Sequence, residues 1–161
     1  MTTTSLRANS LNRLVCLNNF LLAFVVLTLV TCSLISNKTG PLINLDPNLA
    51  YMVKIGLFFV VAMAMFGGFY LPWKKLKGLS PGLPAEKKVD QYLKGKLLQV
   101  WLFSFAAITV SLFFLLTADN NILLIKAIII LFMTVYKPGK LKVGSDLSLN
   151  NQEYNDLFGK E

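Results

Sequence analysis

Four long apolar runs, separated by polar segments, dominate the sequence. They lie at Leu14–Ser36, Ala50–Leu71 and Leu97–Ala118, with a shorter one at Ile122–Tyr136. Each of the first three has the roughly 20 residues that a helix needs to cross a hydrocarbon core of about 30 Å. Solid runs also differ from the short alternating segments of a membrane β-barrel. The pattern therefore predicts an all-α integral membrane protein.

The fourth run is short for a membrane span, since its apolar part reaches only about 22 Å as a helix. Extending it over residues 120–137 gives a helix that is long enough if its ends lie among the lipid headgroups. Asp119, Asn120 and Asn121 precede it, and such side chains favour caps and tight turns. We therefore predict four transmembrane helices in two hairpins, with a re-entrant segment as the alternative for the fourth. The spans are placed at about 14–36, 50–71, 97–118 and 120–137.

Basic residues are distributed unevenly between the predicted loops. All but three of the 16 lysines and arginines fall in the N-terminal segment, the middle loop or the C-terminal segment. Lys38, Lys54 and Lys126 are the exceptions. Because Lys and Arg accumulate in cytoplasmic loops, we expect the N- and C-termini and the middle loop to face the cytoplasm. The expected location is the bacterial inner membrane or an equivalent energy-transducing membrane.

The middle loop has two halves. Pro and Gly residues keep its first half irregular. From Pro84 onward, Val89, Tyr92 and Leu93 recur at helical spacing, which predicts an amphipathic surface helix within Pro84–Lys96. Its basic side chains are expected to contact anionic lipid or, alternatively, an acidic partner protein. These lysines are Lys74, Lys75, Lys77, Lys87, Lys88, Lys94 and Lys96.

The C-terminal segment is polar, so we divide the chain into a membrane domain, residues 1–144, and a cytoplasmic tail, residues 145–161. Asn150 followed by Glu153 predicts the cap of a short helix. Three apolar side chains would then share one face of that helix and be left in water. We expect this face to dock on a partner protein, with a disordered tail as the alternative. The docking residues are Tyr154, Leu157 and Phe158.

Small and polar residues within the spans indicate where helices pack against each other. Pairs of small residues four apart let helix backbones approach closely in lipid. The second span holds Ala64 and Gly68, and the third holds Ala107 and Ser111. A hinge at Gly67-Gly68 is the alternative for the second span. Two amides near the start of the first span are candidates for hydrogen bonds across helices, Asn18 and Asn19.

Two charged side chains, Lys54 and Lys126, lie within apolar runs. Both are within about two turns of the predicted outer end, so their ammonium groups can reach the interface by snorkelling. The alternative is an intramembrane pair between Asp119 and Lys126, which lie on one helical face. Ionisable groups inside a membrane are candidates for a functional site.

Composition agrees with the prediction of a membrane protein and limits the chemistry that its side chains can perform. The chain is 55% hydrophobic and only 15% charged, with a mean hydropathy of +0.59, which argues against a soluble domain. It contains no His, and Cys16 and Cys32 have neither redox nor zinc spacing. No phosphate-binding loop or nucleophile–base pair is visible. We therefore expect no enzyme activity, cofactor or metal site, and topology explains the basic excess without nucleic acid.

These observations favour a non-enzymatic accessory, structural or assembly subunit of a larger multi-subunit membrane complex. Its expected partners are the lipid bilayer, including anionic lipids, and other membrane-protein subunits. A small oligomeric transporter or channel is the alternative, because Lys126 and Asp119 lie near helices that carry Ser and Thr.

Overall fold

The computed structural model describes residues 3–43, 46–78 and 83–158, with side chains from residue 9 onward. These residues form helices and connecting segments, with no strand among them. Parts of the predicted middle loop (residues 79–82) and of the tail (residues 159–161) lie outside the described residues. The helices are α1 (Thr3–Thr39), α2 (Pro47–Lys77), α3 (Ala85–Thr117), α4 (Asn120–Val135), α5 (Lys140–Asp146) and α6 (Asn151–Phe158).

The central helix is α3, which contacts α1, α2 and α4. Its buried residues recur three or four positions apart from Val89 to Phe114, the spacing of a single helix face. In contrast, α2 buries a narrow stripe against its neighbours and exposes large apolar side chains such as Phe58 and Phe66 around the rest. Lipid tails can cover such a surface, because they are as apolar as these side chains. The fold is therefore that of an all-α, multi-pass membrane protein.

The number of spans is three or four. The helices α1, α2 and α3 are each long and apolar enough to cross a membrane. By contrast, α4 has 16 residues, and it reaches that standard only together with α5, across a bend of 84°. Pro138 lies in the bend and is buried. Full crossing by the fourth segment therefore stays a prediction.

The predicted tight turn between the third and fourth helices is confirmed. Ala118 has a left-handed backbone, with φ of 53°, and its N–H donates to the Phe114 carbonyl oxygen at 2.8 Å. Asp119 caps α4, and its carboxylate accepts from the Asn121 N–H at 3.0 Å. The first and second helices do not pack against each other as the predicted hairpin would. Instead, α1 and α2 each pack mainly on α3 and have few contacts with each other.

The predicted amphipathic surface helix is wrong. Residues 85–96 are the first turns of α3, which continues without a break to Thr117. Val89 and Tyr92 belong to the same buried stripe as the apolar part of α3, so they pack on the protein instead of the bilayer surface. Gly95 lets this part of α3 lie close to α2, since a Cβ there would lie 3.3 Å from the Pro72 Cα of α2. In the same way α2 runs through Pro72, so Lys74, Lys75 and Lys77 lie on a helix.

A second apolar cluster, which we call the cap, joins parts of the chain that are far apart in sequence. It contains residues of α1, α3, α5 and α6 at the end of the bundle where α2 ends. The opposite end carries the α3–α4 turn, so we call the two ends the cap end and the turn end. The buried residues of the cap are Leu11, Val89, Tyr92, Val143, Leu157 and Phe158.

The predicted short helix of the tail is confirmed as α6, together with the residues predicted to cap its N-terminus. The Glu153 N–H donates to the Asn150 side-chain oxygen at 2.8 Å, and the Asn150 N–H donates to the Glu153 carboxylate at 3.0 Å. This reciprocal arrangement is a capping box. The predicted domain boundary at Gly144 falls inside α5, and α6 packs on α1.

The expectation that the tail leaves its apolar face free for a partner is wrong. Leu157 is 4% exposed and Phe158 is 8% exposed, because both pack inside the cap. The Tyr154 ring lies beside that of Phe158, with centroids 5.2 Å apart, and also packs against Gly144. The covering surface comes from Leu11 of α1 and from the first turns of α3, both of which lie outside the predicted spans.

Candidate functional site

A cleft of about 620 Å³ opens at the cap end, between α2, α3, the end of α4 and α5. We call it the basic cleft, because lysines from three of its walls converge on it. One part of its lining is aromatic and apolar and the other part is polar. It is lined by Phe66, Phe69, Tyr70, Pro72, Trp73, Leu76, Lys77, Tyr92, Lys96, Gln99, Tyr136, Lys142 and Asp146.

Lys96 is the most buried cation of the basic cleft, only 6% exposed. Its ammonium donates to the Gln99 side-chain oxygen at 3.0 Å and faces the rings of Tyr92 and Tyr136, at 5.5 and 5.9 Å from their centroids. From the sequence alone, Lys96 is one of several lysines predicted to contact lipid or an acidic partner. The signal that it is different was its position four residues after Tyr92, on the apolar stripe of α3.

The polar wall of the basic cleft comes from α5 and its neighbours. The Lys142 ammonium lies 4.6 Å from the centre of the Tyr136 ring and donates to the Val135 carbonyl oxygen at 3.2 Å. On the same helix, the Asp146 carboxylate accepts a hydrogen bond from the Tyr92 hydroxyl at 2.9 Å. That bond joins α5 to α3 and gives the one carboxylate of the lining a partner. The sequence does not indicate Lys142 as a site residue, because only the bend after α4 brings it to the cleft.

The predicted basic loop divides into residues that line the cleft and residues that do not. Lys77 lies over the Trp73 ring, at 4.2 Å from its centroid, and both line the cleft. Lys74 approaches the Tyr70 ring at 6.0 Å, outside the lining. The remaining lysines of that set lie on the surface of α2 and α3, exposed or half-buried: Lys75, Lys87, Lys88 and Lys94.

Lys126 neither snorkels nor pairs with Asp119, so both interpretations of this residue are wrong. It is 1% exposed, and its ammonium donates to the Thr28 hydroxyl oxygen of α1 at 3.2 Å. That hydroxyl in turn donates to the Val25 carbonyl oxygen at 2.8 Å. Lys126 faces the bundle interior because it lies on the buried stripe of α4, with Ile122, Ile129 and Met133.

Asp119 instead forms an ion pair with Lys54 of α2 at the turn end. The hydrogen bond from Lys54 holds the pKa of the Asp119 carboxyl below its ordinary value, although partial burial acts in the opposite direction. The pair therefore favours the folded state above the ordinary pKa of an aspartate, and this contribution disappears as the pH falls through the lowered pKa. It ties the start of α2 to the α3–α4 turn.

Both predicted small-residue pairs lie on buried helix faces. Ala64 and Gly68 belong to the single buried stripe of α2, and Gly68 meets the Phe103 ring of α3. Ala107 and Ser111 are buried on α3, and the Ser111 hydroxyl donates to the Ala107 carbonyl oxygen at 2.7 Å.

The two asparagines of α1 point in different directions. Asn18 is buried in the bundle, and its side-chain nitrogen has no hydrogen-bond partner within the described part of the chain. Asn19 is exposed and lines a shallow groove on the outer face of α1, beside Leu22 and Val26. Of these two packing candidates, only Asn18 therefore lies between helices.

Comparison of the chain with protein families, with curated proteins and with solved structures finds no match. Within residues 3–43, 46–78 and 83–158, no three His, Cys, Asp or Glu side chains are grouped so that they could hold a metal ion. The basic cleft offers ammonium groups, a tyrosine hydroxyl and an amide beside aromatic rings. Such a set of groups is suited to holding an anion next to an apolar chain.

Proposed function

We propose that the protein is a non-enzymatic accessory, structural or assembly subunit of a larger multi-subunit membrane complex. The observation that carries the proposal is the cap. Four segments of the chain pack together at one end of the bundle, with an apolar interior and an outside that is polar except for the exposed Leu141. An isolated helix as short as α6 is marginal in water, so the packing inside the cap is what keeps it folded. The cap thus supplies a preformed surface for other subunits.

The outer faces of α1 and α2 support the same proposal. Both helices expose bulky apolar side chains along their length, including Phe20 and Leu27 of α1 and Phe59 and Met63 of α2. Transmembrane helices of other subunits can replace lipid on these faces without any loss of burial. The proposed partners are therefore other membrane-protein subunits, together with bilayer lipids that include anionic ones, and no nucleic acid is among them.

We further propose that the cap end faces the cytoplasm of a bacterial inner membrane, or the equivalent side of another energy-transducing membrane. Single-cysteine variants at Leu42 and Asn155, in a background without Cys16 and Cys32, test the orientation. A membrane-impermeant maleimide added from outside should label position 42 and miss position 155, because basic segments stay inside. Both positions are suitable, as both side chains are exposed. The reverse pattern would contradict the orientation, and labelling of both positions would contradict the crossing by α4.

The subunit proposal is tested by native mass spectrometry of the full chain after gentle extraction. We expect foreign membrane-protein chains in fixed stoichiometry with the wild-type protein. The double variant Leu157→Ala/Phe158→Ala should lose most of these chains, because truncating such buried side chains typically costs 2–5 kcal/mol each, enough to detach α6. Faster hydrogen exchange of the α6 amides would report this detachment directly.

Asn155→Ala is the matched control, since Asn155 lies on the exposed face of the same helix. It should leave exchange within the cap unchanged. A pure homo-oligomer with substrate-dependent flux would contradict the subunit proposal. Equal recovery of foreign chains with a detached α6 would show that the cap is not the docking surface.

The alternative function, a small oligomeric transporter or channel, is favoured by one observation. Lys126 carries an ammonium group in the bundle interior, where its hydrogen-bond partner is a neutral hydroxyl. Ionisable side chains in such places often mark the path of an ion or a substrate. If this alternative holds, the reconstituted protein should carry a flux of an ion or a substrate without any foreign chain.

A further inference from the structure

We propose that the basic cleft binds the phosphate headgroup of an anionic phospholipid, with an acyl chain of the same lipid lying along the outer face of α2. The site is specific, which distinguishes it from the general attraction of a basic surface to a charged membrane. It does not depend on the subunit role, because a protein with any function in the membrane can hold a structural lipid.

The charges of the basic cleft favour an anion. Lys77, Lys96 and Lys142 line it, and Asp146 is the single carboxylate of the lining. That carboxylate already accepts from the Tyr92 hydroxyl. The cleft thus has a formal charge of +2 when all of its lysines are protonated, which complements a phosphate diester or monoester. Basic pockets between transmembrane helices are typical sites for acidic headgroups.

The buried ammonium of Lys96 has donors to offer. An ammonium group carries three N–H donors, and the hydrogen bond to Gln99 uses one of them. The aromatic rings of Tyr92 and Tyr136 face the charge without accepting a conventional hydrogen bond. A phosphate oxygen in the cleft would take a remaining donor and would compensate a charge that is otherwise costly to bury.

An aromatic path on α2 indicates that the ligand also has an apolar chain. Phe66 stacks on Tyr70, with ring centroids 5.4 Å apart, and Tyr70 lies 6.1 Å from Trp73, whose ring is covered by Lys77. These aromatic side chains are between 40% and 67% exposed. From Phe66 to Lys77 the helix rises about 16 Å, which is close to the half-thickness of a hydrocarbon core of about 30 Å.

This geometry fits a membrane lipid better than a soluble anion. A free phosphate would use the lysines and leave the path from Phe66 to Trp73 uncovered. A phospholipid in the leaflet next to the cap end would place its phosphate at the lysines and its chain on the aromatic rings. Tyr and Trp are also the side chains that favour the headgroup level.

The experiment is a lipid titration of the full-length, delipidated protein in neutral detergent, followed by native mass spectrometry. The probes are phosphatidylglycerol and phosphatidylcholine with identical acyl chains. We expect one phosphatidylglycerol to bind at least tenfold more tightly than phosphatidylcholine. Lys142→Gln and Lys77→Gln should each weaken that binding about fivefold, as one lysine contributes roughly 1 kcal/mol near an anionic headgroup.

Matched controls come from the same helices. Lys140→Gln and Lys75→Gln remove the same charge outside the lining and should change the affinity less than twofold. Phe66→Ala should weaken phosphatidylglycerol binding several-fold, whereas Phe59→Ala, on an exposed part of the same helix, should not. All six side chains are at least partly exposed, so each variant should fold. The melting temperature of each variant checks this.

Two outcomes would overturn the proposal. Equal losses for cleft variants and their controls would mean that only the net charge of the surface matters. Displacement of phosphatidylglycerol by millimolar inorganic phosphate or glycerol phosphate would mean that the cleft holds a soluble anion. Neither outcome would affect the subunit proposal, which is judged by foreign chains in the complex.

Discussion

Replacing Gly68 by alanine should destabilise the helix bundle, whereas replacing Gly67 by alanine should not. A Cβ atom at position 68 would lie 2.6 Å from Cε1 of Phe103, closer than packed atoms can approach. The Phe103 ring cannot easily move away, because it is 2% exposed and packs edge-on against Phe69, with centroids 5.1 Å apart. At position 67 the nearest atom, Leu102 Cδ1, would lie at an ordinary 3.6 Å.

The two variants form a matched pair, because both gain up to about 1 kcal/mol of helix propensity. Overpacking typically costs 1–3 kcal/mol. We therefore expect the free energy of unfolding of Gly68→Ala to lie about 2 kcal/mol below that of Gly67→Ala. Reversible denaturation of the purified protein in mixed micelles measures the difference. Adding Phe103→Leu to Gly68→Ala should recover part of the loss, since the smaller side chain makes room for the new methyl group.

This pair of variants also decides between the two interpretations of the glycines. A hinge at Gly67-Gly68 would require both positions to remain flexible, so both alanine variants would impair the protein alike. Close packing requires only Gly68 to lack a side chain. Equal stabilities of the two variants would contradict the packing contact with Phe103.

The second large effect is expected at Thr28, whose hydroxyl oxygen accepts the hydrogen bond from the buried Lys126 ammonium. Thr28→Val keeps the shape of the side chain and removes this acceptor, which leaves a charged donor unpaired in the bundle interior. Leaving a buried polar group without its partner costs about 1–3 kcal/mol, and more when the group is charged. Thr28→Ser retains the hydroxyl and should cost much less. The free energy of unfolding in mixed micelles again measures the loss.

Replacing Lys126 itself should leave the free energy of unfolding unchanged or raise it. Lys126→Met removes the charge and keeps an unbranched apolar chain, and exchanging a buried charge for an apolar residue of similar volume is often neutral or stabilising. In the Lys126→Met background, Thr28→Val should lose most of its cost, because no ammonium is left to satisfy. This double-mutant cycle isolates the interaction between the two side chains.

An equally destabilising Thr28→Val change in both backgrounds would contradict the contact between Thr28 and Lys126. A more stable Lys126→Met variant would mean that the lysine is retained for something other than stability. That result would strengthen the transporter or channel alternative, since Lys126 is the observation that favours it.

The features that depend on neighbours along the chain could be predicted from the sequence. Run length and hydropathy predicted the long helices α1, α2 and α3, because a helix satisfies its own backbone hydrogen bonds. Asp119 predicted the turn before α4, and Asn150 with Glu153 predicted the capping box of α6. All of these interactions join residues within four positions of each other, so the local sequence specifies them.

The side chains that meet across helices could not be predicted from the sequence, because their contacts depend on how the helices pack. Tyr92 and Asp146, and likewise Thr28 and Lys126, are far apart in sequence, and their contact depends on how α1, α4 and α5 pack on or beside α3. Likewise, Asp119 pairs with Lys54 rather than with a residue of its own helix.

The same reason explains the two features of the cap end that the sequence did not predict. Leu157 and Phe158 are covered because α1 and α3 extend beyond the apolar runs that mark their spans. Lys142 reaches the basic cleft because the chain bends by 84° after α4. Periodicity indicates which face of a helix is apolar, but the direction and length of neighbouring helices determine what that face meets, and these are properties of the packed bundle.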